Sequence, residues 1–273
     1  MKKLIDFAKI QAAGNDFIAV DQDRFKLRNF PAAVIRTMCD RHWGIGGDGI
    51  LLVGQRKDRS ISMRYYNADG SEGEMCGNGL RASVLFAYML GNIRGRQWFI
   101  IHARDGKHRA RYDSADRIVV QVKAHNEVQP LSAKDLQLGK NEQVWGFIDT
   151  GVPHLVIETN RDLEAVDVPA EGEKLRNHLM FRDKGTNVNF VKVLPGNRLQ
   201  VRTYERGVES ETLSCGTGVT ACALSFWKRF ASDSNEIEII TRGGLLHVFK
   251  ENNQYFLMGP AAVVFTGQYL VQE

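Results

Sequence analysis

The chain has 273 residues, 43% hydrophobic and 25% charged, with 26 Gly, 6 Pro and a net charge of +4. At about 100 to 200 residues per domain, this length predicts two domains, and the composition excludes a disordered or collagen-like chain. The basic residues are scattered, with no run longer than Arg56-Lys57-Asp58-Arg59, so nucleic acid is not an expected partner. Asp6 and Lys9 interrupt the N-terminal apolar stretch that a secretory signal would need. The longest apolar run, residues 84–90, falls far short of the roughly 20 residues that span a bilayer. The expectation is a cytoplasmic protein with no membrane partner. Cys39, Cys76, Cys215 and Cys222 are too few for a disulfide scaffold, and no Cys-x-x-Cys or His-x-x-x-His cluster offers metal spacing. Any cysteine that matters here is expected to matter as a thiol.

From the N-terminus, Gly14-Asn15-Asp16-Phe17-Ile18-Ala19-Val20 is followed by a helix-like segment over residues 32–41 and the turn Gly44-Ile45-Gly46-Gly47-Asp48-Gly49. That turn matches the dinucleotide fingerprint literally, but the fingerprint needs a strand before it and a helix after it. Here a helix precedes and the strand-like Ile50-Leu51-Leu52-Val53 follows, so a nucleotide role is not expected. Next come Met63-Arg64-Tyr65-Tyr66-Asn67 and Cys76-Gly77-Asn78-Gly79, with a helical pattern from Leu80 to about Leu90, stopped by Gly91. Residues 117–122 alternate as a strand, and the turn-rich stretch from His125 to Pro130 marks a joint.

Beyond the joint the same signals return in the same order. Gly151-Val152-Pro153-His154 answers the segment at Gly14 at an offset of 137, and Asn187-Val188-Asn189 answers Asp48-Gly49-Ile50 at 139. Val201-Arg202-Thr203-Tyr204-Glu205 answers Met63 to Asn67 at 138, and Cys215-Gly216-Thr217-Gly218 answers Cys76 to Gly79 at 139. A second helical pattern runs from Val219 to about Phe230, and residues 236–240 read as a strand. Two copies make a duplicated domain rather than a solenoid. Both helices are apolar on most faces, so each is expected inside a sheet that wraps it. The fold class is α+β, with more strand than helix and two pseudo-symmetric halves.

The two Cys-Gly-x-Gly turns are the specific signal. A cysteine just ahead of a helix lies in the field of the helix dipole, which lowers a free pKa of about 8.5 and favours the reactive thiolate. The glycines free backbone N–H groups to face an anion such as a carboxylate. Two such turns across an approximate two-fold would put thiols on opposite sides of one molecule. One would remove a proton from a stereocentre and the other deliver a proton to its opposite face.

The strings Gly14-Asn15-Asp16-Phe17, Asn67-Ala68-Asp69-Gly70-Ser71-Glu72, Cys76-Gly77-Asn78-Gly79, Glu205-Arg206-Gly207 and Cys215-Gly216-Thr217-Gly218 resemble those of diaminopimelate epimerase, with Gly259-Pro260-Ala261 as a weaker match. The resemblance runs from about residue 7 to about 268. It implies a cofactor-independent epimerase, without a metal, that interconverts LL- and meso-2,6-diaminopimelate in lysine and peptidoglycan precursor synthesis. It also implies two domains, each a curved, mostly antiparallel sheet around a central helix. These are residues 1–124, with 262–273 returning to the first, and residues 125–261, the active site lying in the cleft between them.

Carried over by position, Cys76 and Cys215 are the acid and base, while Gly77, Asn78, Gly216 and Thr217 hold the reacting carboxylate. Asn15, Asn67, Asn187, Glu205 and Arg206 bind substrate, and His154 and Glu205 lie near the thiols. The partner is a small molecule, and the family is often homodimeric. Three positions depart from the family pattern. Val152 stands where an asparagine contact is common, Gly49 where some members have glutamine, and the loop from Glu205 to Cys215 is one residue longer than usual. Cys39 and Cys222 lack a glycine turn and read as packing residues, and His154 reads as either an orienting group or a loop residue. The competing readings are a proline-type two-cysteine racemase, a thiol redox switch and a binding protein that has lost catalysis. The asparagine set with Arg206, the lack of Cys-x-x-Cys and the presence of both turn cysteines weigh against them in turn.

Overall fold

The computed structural model describes residues 3–25, 30–181 and 184–271. Two units divide the chain: residues 1–121 together with 259–273, and residues 122–258.

In the first unit, β1 (Lys3–Ala12) and β2 (Asn15–Asp21) form a hairpin over Ala13 and Gly14, both at positive φ. A short α1 (Gln22–Phe25) and then α2 (Ala32–Cys39) lead to β3 (Gly49–Gln55), which lies parallel to β2, and β4 (Ile61–Asn67) returns antiparallel to β3. The next helix, α3 (Gly77–Met89), carries the chain to β5 (Phe99–Ala103), parallel to β4. The hairpins through β6 (Gly106–Ser114) and β7 (Arg117–Val122) follow.

The second unit repeats this in order. β8 (Glu142–Asp149) pairs antiparallel with β9 (Pro153–Thr159), and α4 (Val168–Arg176) crosses to β10 (Asn187–Leu194), parallel to β9. β11 (Arg198–Glu205) is antiparallel to β10 and takes the short β12 (Ser210–Thr212) on its end. Then α5 (Gly216–Phe230) leads to β13 (Glu236–Thr241), parallel to β11. The hairpins β14 (Gly244–Glu251) and β15 (Gln254–Gly259) follow. The last strand, β16 (Ala262–Val271), runs antiparallel to β1 in the first unit.

Alternation decides what each sheet face carries. One face of the first sheet, through Phe7, Ile18, Val20, Ile50, Leu52 and Tyr66, packs with Ile35 and Met38 of α2. In the second, Leu155, Ile157, Val188, Phe190 and Tyr204 pack with Val168 and Leu175 of α4. The opposite face holds the central helix: α3 packs against β1 to β4 and β6, and α5 against β8 to β11 and β14. Both are buried over most of their length, α3 from Gly77 to Ala87 and α5 from Gly216 to Trp227. This is the α+β duplicated fold, with two parallel pairs within each otherwise antiparallel set.

Three expectations shift in detail. Both central helices begin at the glycine after the cysteine, three residues before the start read from apolar periodicity, because glycine adds nothing to an apolar pattern while its backbone already turns. The segment expected as a helix over 32–41 ends at Cys39, where Asp40 turns extended. The register also corrects one repeat match. Gly49 lies opposite Phe17 as Asn187 lies opposite His154, so Asn187 answers Gly49 at 138, not Asp48 at 139.

Candidate active site

In the first unit, Cys76 is the N-cap of α3, its extended backbone leaving Sγ to accept from the Gly79 N–H at 3.3 Å. The thiol donates toward Asn15 Oδ1 at 3.7 Å, and Asn78 Nδ2 donates to the same oxygen at 3.5 Å. Asn15 is turned this way because its Nδ2 is taken by Asp48 Oδ2 at 2.6 Å. Asp48 belongs to the glycine turn that mimics a dinucleotide loop. That turn therefore serves as an anchor for the start of β2, where Asn15 lies. Arg41 braces it, reaching Asp48 at 2.9 Å and forking onto Asp16 at 2.8 and 3.0 Å, while Lys9 pairs with Asp16 at 2.6 Å. Burial and the charge of Asp16 push the Asp48 carboxyl up. Burial would raise Asp16 too, but Arg41 and Lys9 hold it well below the usual carboxylate range.

Asn67 sits at the end of β4, where its Nδ2 donates to Ser71 Oγ at 3.0 Å within the Asn67–Ser71 turn. Gly49 is opposite Asn67, and there is no room for a side chain there. An added Cβ would come within 2.2 Å of the Tyr66 carbonyl oxygen and 2.6 Å of the Tyr65 ring. The same ring would meet a Cβ at Gly73 at 2.3 Å, and it packs edge-on to Phe17 with centroids 5.8 Å apart. Tyr65 thus occupies the space next to Gly49 that a longer residue would need.

In the second unit, Cys215 is the N-cap of α5 and lies 3.3 Å from Thr217 Oγ1. Thr217 Oγ1 is 3.0 Å from His154 Nε2, and His154 Nδ1 is 3.2 Å from Asn189 Nδ2. The Asn189 amide has one orientation that satisfies it: Nδ2 also donates to the Leu155 carbonyl at 3.0 Å, and Oδ1 accepts from Thr203 Oγ1 at 3.0 Å. The amide therefore gives its proton to Nδ1, the imidazole carries its own on Nε2 and donates to Thr217, and the threonine hydroxyl is left to donate to Cys215. Burial, with a smaller contribution from Arg206, holds the His154 pKa down at about 3, so the ring is neutral. His154 lies within β9 rather than in a loop, and it is fully buried.

Asn187 is tied to the backbone on both sides, donating to Pro153 O at 2.9 Å and accepting from Arg206 N at 2.9 Å. It thereby sets the start of the Arg206 turn. Arg206 donates to Lys184 O at 2.8 Å, and Glu205 accepts from Thr212 across the β11–β12 pair. The loop after Glu205 turns as a hairpin with Gly207 and Glu209 at positive φ, and Glu209 is clamped by Arg176 at 3.1 Å. Val152 lies in the Thr150–Pro153 turn, where its carbonyl accepts from Thr150 N at 3.2 Å and its side chain is apolar. Cys39 and Cys222 are packing residues, and burial raises both thiols, Cys39 to about 12.

Asn189, Thr203, Asp48 and Arg41 hold these side chains in place and are not among the site residues expected from sequence. Asn189 had a signal, since it lies two residues along the strand from Asn187. The other three act through side-chain hydrogen bonds to residues distant in the chain, Thr203 to Asn189, Asp48 to Asn15 and Arg41 to Asp16.

The family model described as diaminopimelate epimerase matches residues 7–126 and 146–264. A diaminopimelate epimerase of Flavobacterium psychrophilum is 40% identical over 265 residues, 94% of this chain and 97% of that protein. One of Aquifex aeolicus is 37% identical over 276 residues, covering 97% of each. Among solved structures, a phenazine biosynthesis protein of the PhzF family from Bacillus anthracis superposes with a TM-score of 0.73 over 98% of this chain and 100% of that one. At 16% identity, that likeness is one of fold. The duplicated unit, with a cysteine capping each central helix, defines the class: an α+β isomerase fold built from two copies of one sheet-wrapped helix. Within that class, the chain belongs to the diaminopimelate epimerase family.

Proposed function

We propose that the protein interconverts LL- and meso-2,6-diaminopimelate by two-base proton transfer between Cys76 and Cys215, without a cofactor. The observation that carries this reading is that each unit presents a thiol as the N-cap of a buried helix whose first turn is Gly-x-Gly. A thiolate at one helix start takes the α-proton, forming S–H as C–H breaks. The thiol at the other start gives its proton to the opposite face, forming C–H as S–H breaks. The centre inverts, and the thiol and thiolate exchange places. The backbone N–H groups of each helix's first turn receive the α-carboxylate and stabilise the charge that builds on it. Asn78 and Thr217 line the two helix starts, and Asn15, Asn67, Asn187, Glu205 and Arg206 hold the distal amino-acid group, Arg206 gripping its carboxylate. His154, neutral, orients Thr217 and does not shuttle the proton.

The test is solvent-deuterium incorporation into LL-diaminopimelate, followed by NMR with reduced protein. Exchange at one α-carbon that is lost in Cys76→Ala and in Cys215→Ala is the expected result. Exchange into proline or another amino acid instead would replace the substrate, and substantial turnover by either variant would remove the two-base mechanism. We further read the enzyme as a cytoplasmic homodimer. Support for the dimer comes from β16, where Val263, Val264 and Phe265 are exposed. Light scattering of the purified chain checks it, and a monomer at micromolar concentration would overturn it.

A further inference from the structure

Residues 94–121 carry seven arginines and lysines against three aspartates, a net +4 that equals the charge of the whole chain. Along the sequence these cations are interleaved with apolar residues, and strand alternation sorts them onto faces of the sheet. Two are engaged apart from the rest: Arg104 donates to Glu72 O at 2.8 Å, and Arg109 lies over the Trp98 ring at 4.5 Å. Three others come together. Arg96, Arg111 and Arg117 line a pocket of about 440 Å³ with Asp113 and Ser114, and it contains no residue of either cysteine turn. The loop after α3 is fastened to β6 by the Arg96 N–H, which donates to Tyr112 O at 2.7 Å, and by the Tyr88 ring, stacked on Tyr112 with centroids 3.9 Å apart. Arg96 holds φ at 60°, a left-handed conformation that costs an arginine more than it costs a glycine or asparagine. Across the pocket, the register of β6 on β7 shifts between Tyr112 and Ser114, so Asp113 bulges out of the pairing and Ser114 lies opposite Arg117. The turn between these strands is pinned by the Ala261 N–H, which donates to Ala115 O at 2.9 Å.

We propose that this pocket binds the phosphate group of a small phosphorylated molecule. Asp113 takes Nε and Nη2 of Arg111 at 2.8 Å each, and Arg111 Cζ lies 4.7 Å from the Trp98 ring centroid. The Arg111 guanidinium is thus fixed along one edge and across one face, with Nη1 left to donate. Arg111 and Asp113 offset one another in charge. Among the described residues, neither Arg96 nor Arg117 forms an ion pair, and Asp116 in the same turn pairs with neither. Two uncompensated cations therefore border the pocket. A phosphate monoester carries a charge of about −1.5 to −2 at neutral pH and matches both, whereas a carboxylate matches one. Arg111 Nη1 and the Ser114 hydroxyl supply further donors to its oxygens. The volume is that of a site for a small ligand. Tracking a nucleic-acid backbone takes a run of cations along the surface, and Arg104 and Arg109 are turned to other partners.

The test is equilibrium dialysis of the full chain against radiolabelled inorganic phosphate at about pH 7.5, where the dianion predominates. One equivalent is expected to bind, with affinity falling about tenfold or more in Arg117→Gln and in Arg96→Asn, since each variant removes a charged donor. Arg96→Asn should at the same time raise the thermal midpoint, because asparagine tolerates the left-handed backbone that the arginine holds. Epimerase turnover should be unchanged in both variants. Absence of saturable binding would overturn the proposal, as would binding that both variants retain in full. Acetate displacing phosphate at equal concentration would overturn the choice of a dianion. An oligonucleotide that binds about a hundredfold more tightly than phosphate at physiological salt, and loses that affinity in the same variants, would replace the small ligand with a nucleic acid. Failure of the chain to act on diaminopimelate would leave these binding measurements unchanged.

Discussion

Two glycines at equivalent positions make unequal demands. A Cβ at Gly79 would meet Leu51 at 3.4 Å and Cys76 at 3.5 Å, which is ordinary contact. At Gly218 it would meet Asn189 Oδ1 at 2.5 Å, because the second unit has an amide where the first has a leucine. Gly218→Ala should therefore displace Asn189, free the His154 tautomer and cut kcat by more than tenfold, while Gly79→Ala should cost a few-fold at most. Steady-state rates of the two variants decide this, and equal losses would count against the relay. His154 gives a pH prediction of definite sign. Its folded pKa is about 3 against 6.5 for an unperturbed imidazole, so the unfolded chain binds the proton first as pH falls. Its stabilising effect is full above about 6.5 and is lost progressively from there down toward 3. Between pH 7 and 5, urea unfolding of the native protein should lose about 2 kcal/mol more than His154→Gln does.

The hairpin that carries Glu205 and Arg206 is held by a buried ion pair rather than by its own short strand. Arg202 forks onto Glu211 at 2.6 and 2.7 Å and gives its Nη1 hydrogens to Leu163 O and Val166 O at 2.6 and 2.9 Å. Arg202 and Glu211 are 5% and 10% exposed, so cutting the pair strands a guanidinium away from water. Glu211→Ala should destabilise the fold by about 3 kcal/mol. It should also raise KM more than it lowers kcat, since the loosened β12 no longer braces Glu205 through Thr212. Thermal unfolding with parallel kinetics would show it, and an unchanged KM would separate the hairpin from the substrate site. At this scale much was legible. The cysteine-glycine turns announced both central helices, and the glycine turn before β3 was set apart from a dinucleotide loop by its order of helix and strand. The starts of the helices were not, because a glycine contributes no side chain for periodicity to detect.

For the whole chain, duplication of one strand-wrapped helix places a helix-capping thiol in each copy, and opposing proton transfer requires both to reach one substrate. Mild oxidation of the substrate-free protein should accordingly join Cys76 to Cys215 and abolish turnover, with recovery in reductant. Peptide mapping identifies the bond, and an enzyme indifferent to oxidant and reductant would contradict paired thiols. Cys39 and Cys222 should stay reduced throughout, being buried and held as neutral thiols.

The duplication, the two Cys-Gly-x-Gly turns that open the central helices, the α+β class and the family are all readable from the amino-acid sequence, because they rest on residue types at fixed local spacing. Backbone conformation, helix capping and alternation act over a few residues, so they leave a linear trace. It took the folded chain to show which way Asn15 and Asn189 point, that Asp48 anchors one and Thr203 the other, and that Tyr65 fills the space beside Gly49. Those outcomes depend on hydrogen bonds and packing between residues far apart in the chain, whose partners are set by strand register. No local pattern records a register until the sheet has formed.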